Sequence, residues 1–264
     1  MGPLRDHAHQ GTVCRKPVNH EEYEMMYRAE DHHWWYTGMR SITKAVLDRY
    51  VRRGQPLSIL DAGCGTGSTM NYLKDYGEVT GVDMAPEAVS FCRERGLKRI
   101  GRASICELPF ADASFDLITS FDVVCQCEPD LANDALAGFW RVLRPGGLLL
   151  LRMPAYQWLF GRHDELVHNL RRYTRGEVAR QLREHGFAIE RTSYANCLLF
   201  PIAAAKRLKD RMLPPKQECS DVSVTGGWAN SLLATLLRAE APLVSRVGLP
   251  FGLTIVALAR KPVG

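Results

Sequence analysis

The stretch LDAGCGTG, residues 60–67, follows the apolar run LSIL and precedes a segment of helical pattern. Its glycines at 63, 65 and 67 allow the backbone of a strand-to-helix loop to approach a ligand closely. The spacing is G-x-G-x-G, whereas G-x-G-x-x-G is the spacing that seats a pyrophosphate on a helix N-terminus. Asp61 inside the loop would repel a pyrophosphate but suits an ammonium group. The loop is therefore predicted to bind a ligand without phosphate.

A second carboxylate, Asp83, ends the next apolar segment, Val79–Asp83. An acid at the end of the second strand of an open α/β sheet can accept hydrogen bonds from both hydroxyls of a ribose. The alternative for Asp83 is a helix N-cap before Pro86, and the two roles are compatible.

Strand and helix patterns alternate from residue 57 onward. The strand segments are LSILDAG, EVTGVDM, KRIGRAS, FDLITSFDVV and LRPGGLLLLRMP, and helical segments separate most of them. This alternation predicts a parallel sheet with helices on both faces.

Four segments carry a resemblance to a known family. LDAGCGTG, GVDMAPEAV, ELPFADASFDLI and RVLRPGGLLLL stand in the order and spacing of the class I S-adenosylmethionine (SAM)-dependent methyltransferases, and the chain resembles their type 11 branch for small molecules, quinones and lipids. The resemblance implies a Rossmann-like doubly wound α/β sheet that is mostly parallel with an antiparallel last strand. It also implies SAM as the cofactor.

The resemblance further implies a set of cofactor contacts. Asp83 would bind the ribose, and Met84 would pack against the adenine. The family's acidic residue for the adenine amino group is replaced here by Ser104, so a hydroxyl or a backbone carbonyl takes that role. The expected contacts are Asp61, Gly63, Gly65, Gly67, Asp83, Met84, Ser104, Ile105 and Phe121.

The sequence indicates less about how the methyl acceptor is bound than about how the cofactor is bound. The Asn/Asp-Pro-Pro-Phe/Tyr tetrapeptide of nucleic-acid amino-methyltransferases is absent, and SFDV stands at its place. No nucleic-acid partner is therefore expected, and a small-molecule or lipid-like acceptor is predicted. The alternatives are methylation of a macromolecule, tRNA or protein, and a catalytically inactive binding subunit of the same fold.

The segment after the fifth strand commonly closes the acceptor pocket in this fold. His163 and His168 are the candidates for a general base there, and a capping or solvent role is the alternative. Arg171 and Arg172 beside Tyr173 are predicted to line the acceptor pocket, where they would hold a phosphate or carboxylate. Ordinary surface charge is the alternative for both arginines.

An aromatic cluster lies near the N-terminus. Trp34, Trp35 and Tyr36 are predicted to belong to a lid that excludes water from the cofactor and to line the substrate pocket. Two adjacent tryptophans cannot both face a core from one helix, which favours a lid over simple packing. No metal is expected at His32 and His33, because no acidic or cysteine companion stands near them in the sequence.

The chain divides into five predicted segments: a disordered tail 1–20, a helical lid 21–56, the SAM-binding core 57–196, a helical insert 197–249, and a final strand within 250–264. The insert is predicted either to bury a sheet face or to form a mobile cap over an apolar acceptor, with peripheral membrane contact. The net charge is +5, the basic pairs are scattered, and the eight cysteines follow no apolar leader, so a cytoplasmic, membrane-peripheral protein is expected.

Overall fold

The computed structural model describes residues 20–51, 54–212 and 227–263. Within these ranges a single seven-stranded sheet forms the centre of the molecule. Its strands are β1 Leu57–Ala62, β2 Gly77–Asp83, β3 Ile100–Arg102, β4 Phe115–Phe121, β5 Leu143–Pro154, β6 Ala188–Ala195 and β7 Thr254–Arg260. Their order across the sheet is β3-β2-β1-β4-β5-β7-β6, and β7 alone runs antiparallel to its neighbours. The predicted Rossmann-like fold with an antiparallel last strand is confirmed.

Helices cover both faces of the sheet. They are α1 His20–Ala29, α2 Trp34–Tyr50, α3 Ser68–Leu73, α4 Pro86–Glu94, α5 Pro129–Val142, α6 Arg162–Leu166, α7 Arg175–Glu184, α8 Phe200–Met212, α9 Gly227–Ala239 and α10 Ala241–Arg246. One core, between the sheet and helices α5 and α7, contains Phe139 and Leu182. A second lies under α2, α9 and α10 and contains Ile42 and Leu237, and a small third one joins α1 to α4 through Tyr23 and Phe91.

Local sequence sets the helix boundaries. Pro86 and Pro129 begin α4 and α5, where a missing backbone N–H costs nothing. Thr174 caps α7 through a reciprocal pair, in which its hydroxyl accepts from the Glu177 N–H at 3.2 Å and the Glu177 carboxylate accepts from the Thr174 N–H at 2.6 Å. These local signals explain why the helices and strands of the central sheet region could be predicted from the sequence.

The segment before β1 is helical, as predicted, but it is two helices rather than one. The helical backbone is interrupted at residues 30–33, and α2 begins at Trp34. The Trp34 N–H donates to the Asn230 side chain at 2.7 Å, and the imidazole of His33 accepts from the Trp35 N–H at 3.4 Å. These side-chain acceptors satisfy the first orphan donors of α2. The predicted tail lies outside the described residues, apart from His20.

The insert is helical too, and its second half is packed into the molecule. A Cβ placed on Gly38 of α2 would lie 2.5 Å from a methyl of Leu237 in α9, so glycine is needed for this close helix contact. Leu237 and Val244 are fully buried. Helices α9 and α10 therefore extend the helical layer over the sheet, whereas α8 contacts the segment after β5, where Phe200 meets Tyr156 and Trp158. No described helix is long and apolar enough to cross a membrane.

Candidate cofactor and acceptor site

The glycine-rich loop joins β1 to α3 at the carboxyl edge of the parallel strands. The N–H groups of Gly63 and Cys64 both donate to the Val82 carbonyl, at 2.8 and 3.0 Å, which fastens the loop to β2. Gly63 has a φ of +84°, and a Cβ there would lie 2.3 Å from a methyl of Val123. A side chain at position 63 is thus excluded by both backbone conformation and space.

Asp83 ends β2 and holds the glycine loop from the other side. One carboxylate oxygen accepts from the Gly65 N–H at 2.9 Å, and the other accepts from the Ala85 N–H at 3.0 Å. Burial raises the pKa of this carboxyl, while the backbone hydrogen bonds act against that shift. Each oxygen keeps a further lone pair, so the carboxylate can accept two hydroxyls of a ribose without releasing the loop.

Asp61 is the penultimate residue of β1, lies beneath the same loop and is 2% exposed. One of its oxygens accepts from the Thr119 hydroxyl at 2.7 Å. The other is buried and has no hydrogen-bond partner among the described residues. Burial raises the pKa of Asp61 to about 7. A buried carboxylate oxygen without a partner is costly, and a cationic ligand group that donates to it removes that cost.

Helix α1 lies over the glycine loop. Glu30 is 7% exposed, accepts a hydrogen bond from the Thr66 hydroxyl and pairs with Arg95 at 3.2 Å. A Cβ on Gly65 would lie 3.1 Å from the terminal methyl of Met26. Burial raises the pKa of Glu30 to about 7. The loop is therefore covered from the N-terminal side, which is the place expected of a lid.

The predicted adenine contacts follow β2 and β3. Met84 is half-buried, and Ile105 is buried in the core under α5. The Ser104 hydroxyl accepts from the Cys106 N–H at 3.2 Å, and the Ala103 N–H donates to the Asp83 carbonyl at 3.1 Å. The structure thus brings this loop next to the end of β2, with the Ser104 hydroxyl engaged in its own turn.

Arg152 lies at the end of β5, and sequence reasoning did not single it out. Its guanidinium carbon lies 4.7 Å from the ring centre of Trp35 and 4.6 Å from that of Phe121. Its Nε donates to the Asp122 carboxylate at 2.6 Å. The available signal was a lone charge within the apolar run LLLLRMP. Trp35 is thus the member of the predicted aromatic cluster that contacts this arginine, and Tyr36 meets the Trp35 ring edge-on at 4.9 Å. Contrary to the expectation for two adjacent tryptophans, Trp34 and Trp35 both pack against the core under α2.

The segment after β5 is organised by a fully buried carboxylate. Asp164 accepts from the Arg172 Nε at 2.9 and 3.0 Å and from the Asn169 amide at 3.0 Å. Arg171 pairs with a glutamate of α7 and lies 4.3 Å from the ring centre of Tyr173, which is 1% exposed. Arg172 and Tyr173 therefore belong to the internal packing, which does not support their predicted place in the lining of an acceptor pocket.

The two candidate bases lie on this same segment. His163 is in α6, and His168 follows it with a φ of +57°. Both side chains are half-buried. None of the contacts described for this segment joins either histidine to the glycine loop. Their role as general base therefore stays a prediction.

Five aromatic side chains from three chain segments meet at the carboxyl edge of the sheet. They form the aromatic group, which consists of Tyr156, Trp158, Tyr194, Phe200 and Phe251. Tyr156 stacks on Tyr194 at 5.1 Å, and Phe200 contacts Phe251 at 5.4 Å. Trp158 is 43% exposed, so the group presents an apolar surface to solvent. Sequence reasoning missed it, because its members are far apart along the chain.

The described residues contain no group of three or more His, Cys, Asp or Glu side chains placed to hold a metal ion. The donor set at the carboxyl edge consists instead of single carboxylates with separate tasks. Asp61 offers an unpartnered oxygen, and Asp83 offers two hydrogen-bond acceptors. These groups fit the ammonium and the ribose of SAM.

Comparison with known proteins agrees with this geometry. Residues 60–151 match the model of a methyltransferase domain. The chain is 30% identical over 149 residues to the tRNA N(3)-methylcytidine methyltransferase Mettl2 of Drosophila melanogaster, a match that covers 51% of this chain and 43% of that protein. It is 39% identical over 93 residues to a malonyl-[acyl-carrier protein] O-methyltransferase of Enterobacter lignolyticus, which covers 34% of this chain and 36% of that protein.

The matched regions thus span less than half of each relative's own length. Among solved structures, the [4+2]-cyclase SpnF superposes with a TM-score of 0.58 at 21% identity, covering 94% of this chain and 97% of that chain. At this identity the likeness concerns the fold alone. The glycine loop, the two strand-end carboxylates and the matched domain model agree on one family, whose cofactor is SAM. Residues 60–151 therefore belong to a methyltransferase domain of the class I SAM-dependent type.

Proposed function

We propose that this protein transfers the methyl group of SAM to a hydrophobic or lipid-linked acceptor. The observation that carries the proposal is the exposed aromatic group, because it lies at the same edge of the sheet as the glycine loop. Strands β1, β4, β5 and β6 are parallel to one another, so their carboxyl ends share that edge, and antiparallel β7 begins there. An apolar acceptor can rest on this surface beside the methyl donor.

Different residues at this edge bind different parts of the cofactor. The unpartnered oxygen of Asp61 accepts from the ammonium, Asp83 accepts from the ribose hydroxyls, and Gly63 and Gly65 let the backbone come close. When bound, SAM supplies a methyl group already activated on a sulfonium. The protein's remaining task is alignment and exclusion of water. Helix α1 and Trp35 cover the site and serve as the lid, and Phe121 lines it near the methyl group.

Helix α8 extends the acceptor surface outward. Ile202, Ala205 and Leu208 recur at helical spacing in α8, Leu198 precedes the helix, and all four are exposed. Lys206 and other basic side chains stand beside this apolar stripe. An apolar helix face flanked by lysines suits the interface of an anionic membrane, where the lysine stems lie along the apolar layer. This half of the insert supports peripheral membrane contact, whereas α9 and α10 serve packing.

By their names, the two relatives act on tRNA and on malonyl-[acyl-carrier protein]. The experiment that separates these acceptor classes is incubation of the protein with methyl-labelled SAM and a cell extract split into organic-soluble, RNA and protein fractions. We expect the label in the organic-soluble fraction. Asp83→Ala serves as the cofactor-site control, and the exposed-pair variant Arg144→Gln should behave as wild type. Label confined to RNA or to protein would overturn the lipid-like acceptor while leaving SAM dependence intact.

We propose only His163 and His168 as candidates for a general base. Each should be changed singly to Gln and turnover measured from pH 6 to 9 with the acceptor so identified. Loss of turnover in one variant, with unchanged affinity for S-adenosylhomocysteine, supports that histidine. Normal profiles in both variants would remove the base from the mechanism.

A further inference from the structure

Arg152 is a buried cation whose hydrogen-bonding capacity is mostly unused. Its side chain is 11% exposed. Of its five N–H donors, the one on Nε goes to Asp122, and the four on the two terminal nitrogens make no hydrogen bond to any described residue. The rings of Trp35 and Phe121 lie 4.7 and 4.6 Å from the guanidinium carbon and attract its charge.

The position of Arg152 places it within the candidate site. Phe121 and Arg152 are register partners in β4 and β5, and Asp61 and Thr119 are register partners in β1 and β4. Thr119 and Phe121 are two residues apart in β4, so their side chains share a face of the sheet. Asp61 and Arg152 thus lie on that face at its carboxyl edge, separated by one strand. The site offers an acceptor for a cation at Asp61 and donors for an anion at Arg152.

We propose that the terminal nitrogens of Arg152 bind a carboxylate in the active site. A guanidinium presents parallel N–H groups that match the two oxygens of a carboxylate, and such charge-assisted pairs are the strong ones. The ion pair to Asp122 holds Nε, so the fork is oriented before the ligand arrives. This inference rests on the proposed function, since the ligand is either the carboxylate of the cofactor's amino-acid portion or one on the acceptor.

The test compares wild type with Arg152→Gln and Arg152→Lys by calorimetry in two arms. The first arm titrates S-adenosylhomocysteine and 5′-methylthioadenosine, which lacks the amino acid. The second arm titrates decanoate and 1-decanol into protein saturated with S-adenosylhomocysteine. We expect Arg152→Gln to weaken one carboxylate ligand ten- to hundredfold, and its neutral counterpart much less. Lysine should restore only part of the loss, because it keeps the charge without the fork.

The pattern of losses identifies the carboxylate. A loss confined to S-adenosylhomocysteine assigns Arg152 to the cofactor, and a loss confined to decanoate assigns it to an acidic acceptor. As a control, Arg144→Gln replaces an exposed arginine that pairs with Asp116 at the opposite edge of the sheet, and it should change the affinity for neither ligand. Equal affinities of folded wild type and Arg152→Gln in both arms would overturn the inference. Failure of wild type to bind S-adenosylhomocysteine at all would instead contradict the proposed function.

Discussion

Replacing Asp83 by Asn removes the charge that the site offers to a ribose. In the native protein each carboxylate oxygen accepts one backbone N–H, from Gly65 and from Ala85, and keeps a lone pair for a ribose hydroxyl. Asparagine has one acceptor oxygen, and its NH2 group must face one of these two N–H donors. The variant therefore loses a loop hydrogen bond together with the anionic acceptor.

The size of the effect follows from these contacts. Hydrogen bonds to a charged group contribute about 1.5–3 kcal/mol. Because about 1.4 kcal/mol corresponds to a factor of ten in Kd, affinity for S-adenosylhomocysteine should fall about ten- to hundredfold. Calorimetric titration measures this directly. Glu78→Gln on the same strand, an exposed carboxylate paired with Arg99, is the matched control and should bind as wild type does.

A second titration separates ribose recognition from support of the loop. Wild type should bind the 2′-deoxy analogue of S-adenosylhomocysteine more weakly than the parent compound, whereas Asp83→Asn should discriminate much less between them. Thermal melting shows whether the variant is folded. Unchanged affinity for the parent compound in folded Asp83→Asn would refute the assignment of Asp83 to the ribose.

Three further perturbations test the cofactor pocket, the helical layer and the acceptor surface. The pKa of Asp61 is raised to about 7, so the unliganded carboxyl is neutral below that pH, and affinity for S-adenosylhomocysteine should rise up to tenfold per pH unit toward pH 7 and then level. Asp61→Asn should flatten this rise and leave only the share that comes from titration of the neighbouring carboxyls Glu30 and Asp83, since Arg152 stays charged throughout. Leu237→Ala should lower the free energy of unfolding by about 2–5 kcal/mol in urea titration, because it leaves a cavity against α2; a loss under 1 kcal/mol would mean that α9 is not part of the core. Ile202→Glu should reduce flotation with anionic liposomes several-fold, and Val263→Glu, exposed at the opposite edge, should not; equal flotation of the two variants would exclude α8 from membrane contact.

The fold could be predicted because its signals are local. The glycine loop, the acid at the end of β2 and the proline-started helices each lie within a few residues of the element they define. The antiparallel last strand came from the resemblance to a family rather than from periodicity. Asp61 and Asp83 could be named for the same reason, since each stands at a strand end that the pattern itself marks.

The acceptor side could not be predicted, because distant residues build it. Trp35 and Arg152 come from the start of α2 and the end of β5, and only the folded sheet brings them together. Arg172 looked available for a ligand, but its partner Asp164 is buried by the tertiary structure. The break before α2 depends on Asn230, which lies in the insert and far along the chain.

The position of the insert follows from the topology of the sheet. Strand β6 ends at the carboxyl edge, and β7 begins at that edge because it runs antiparallel to β6. Any chain inserted between the two strands therefore leaves from and returns to the edge that carries the glycine loop. Helices α9 and α10 use this position to pack on α2, and α8 begins directly beside the aromatic group through Phe200. If α8 contacts a bilayer, the same topology places the methyl-transfer site beside the membrane interface, where a lipid-linked acceptor can enter without crossing water.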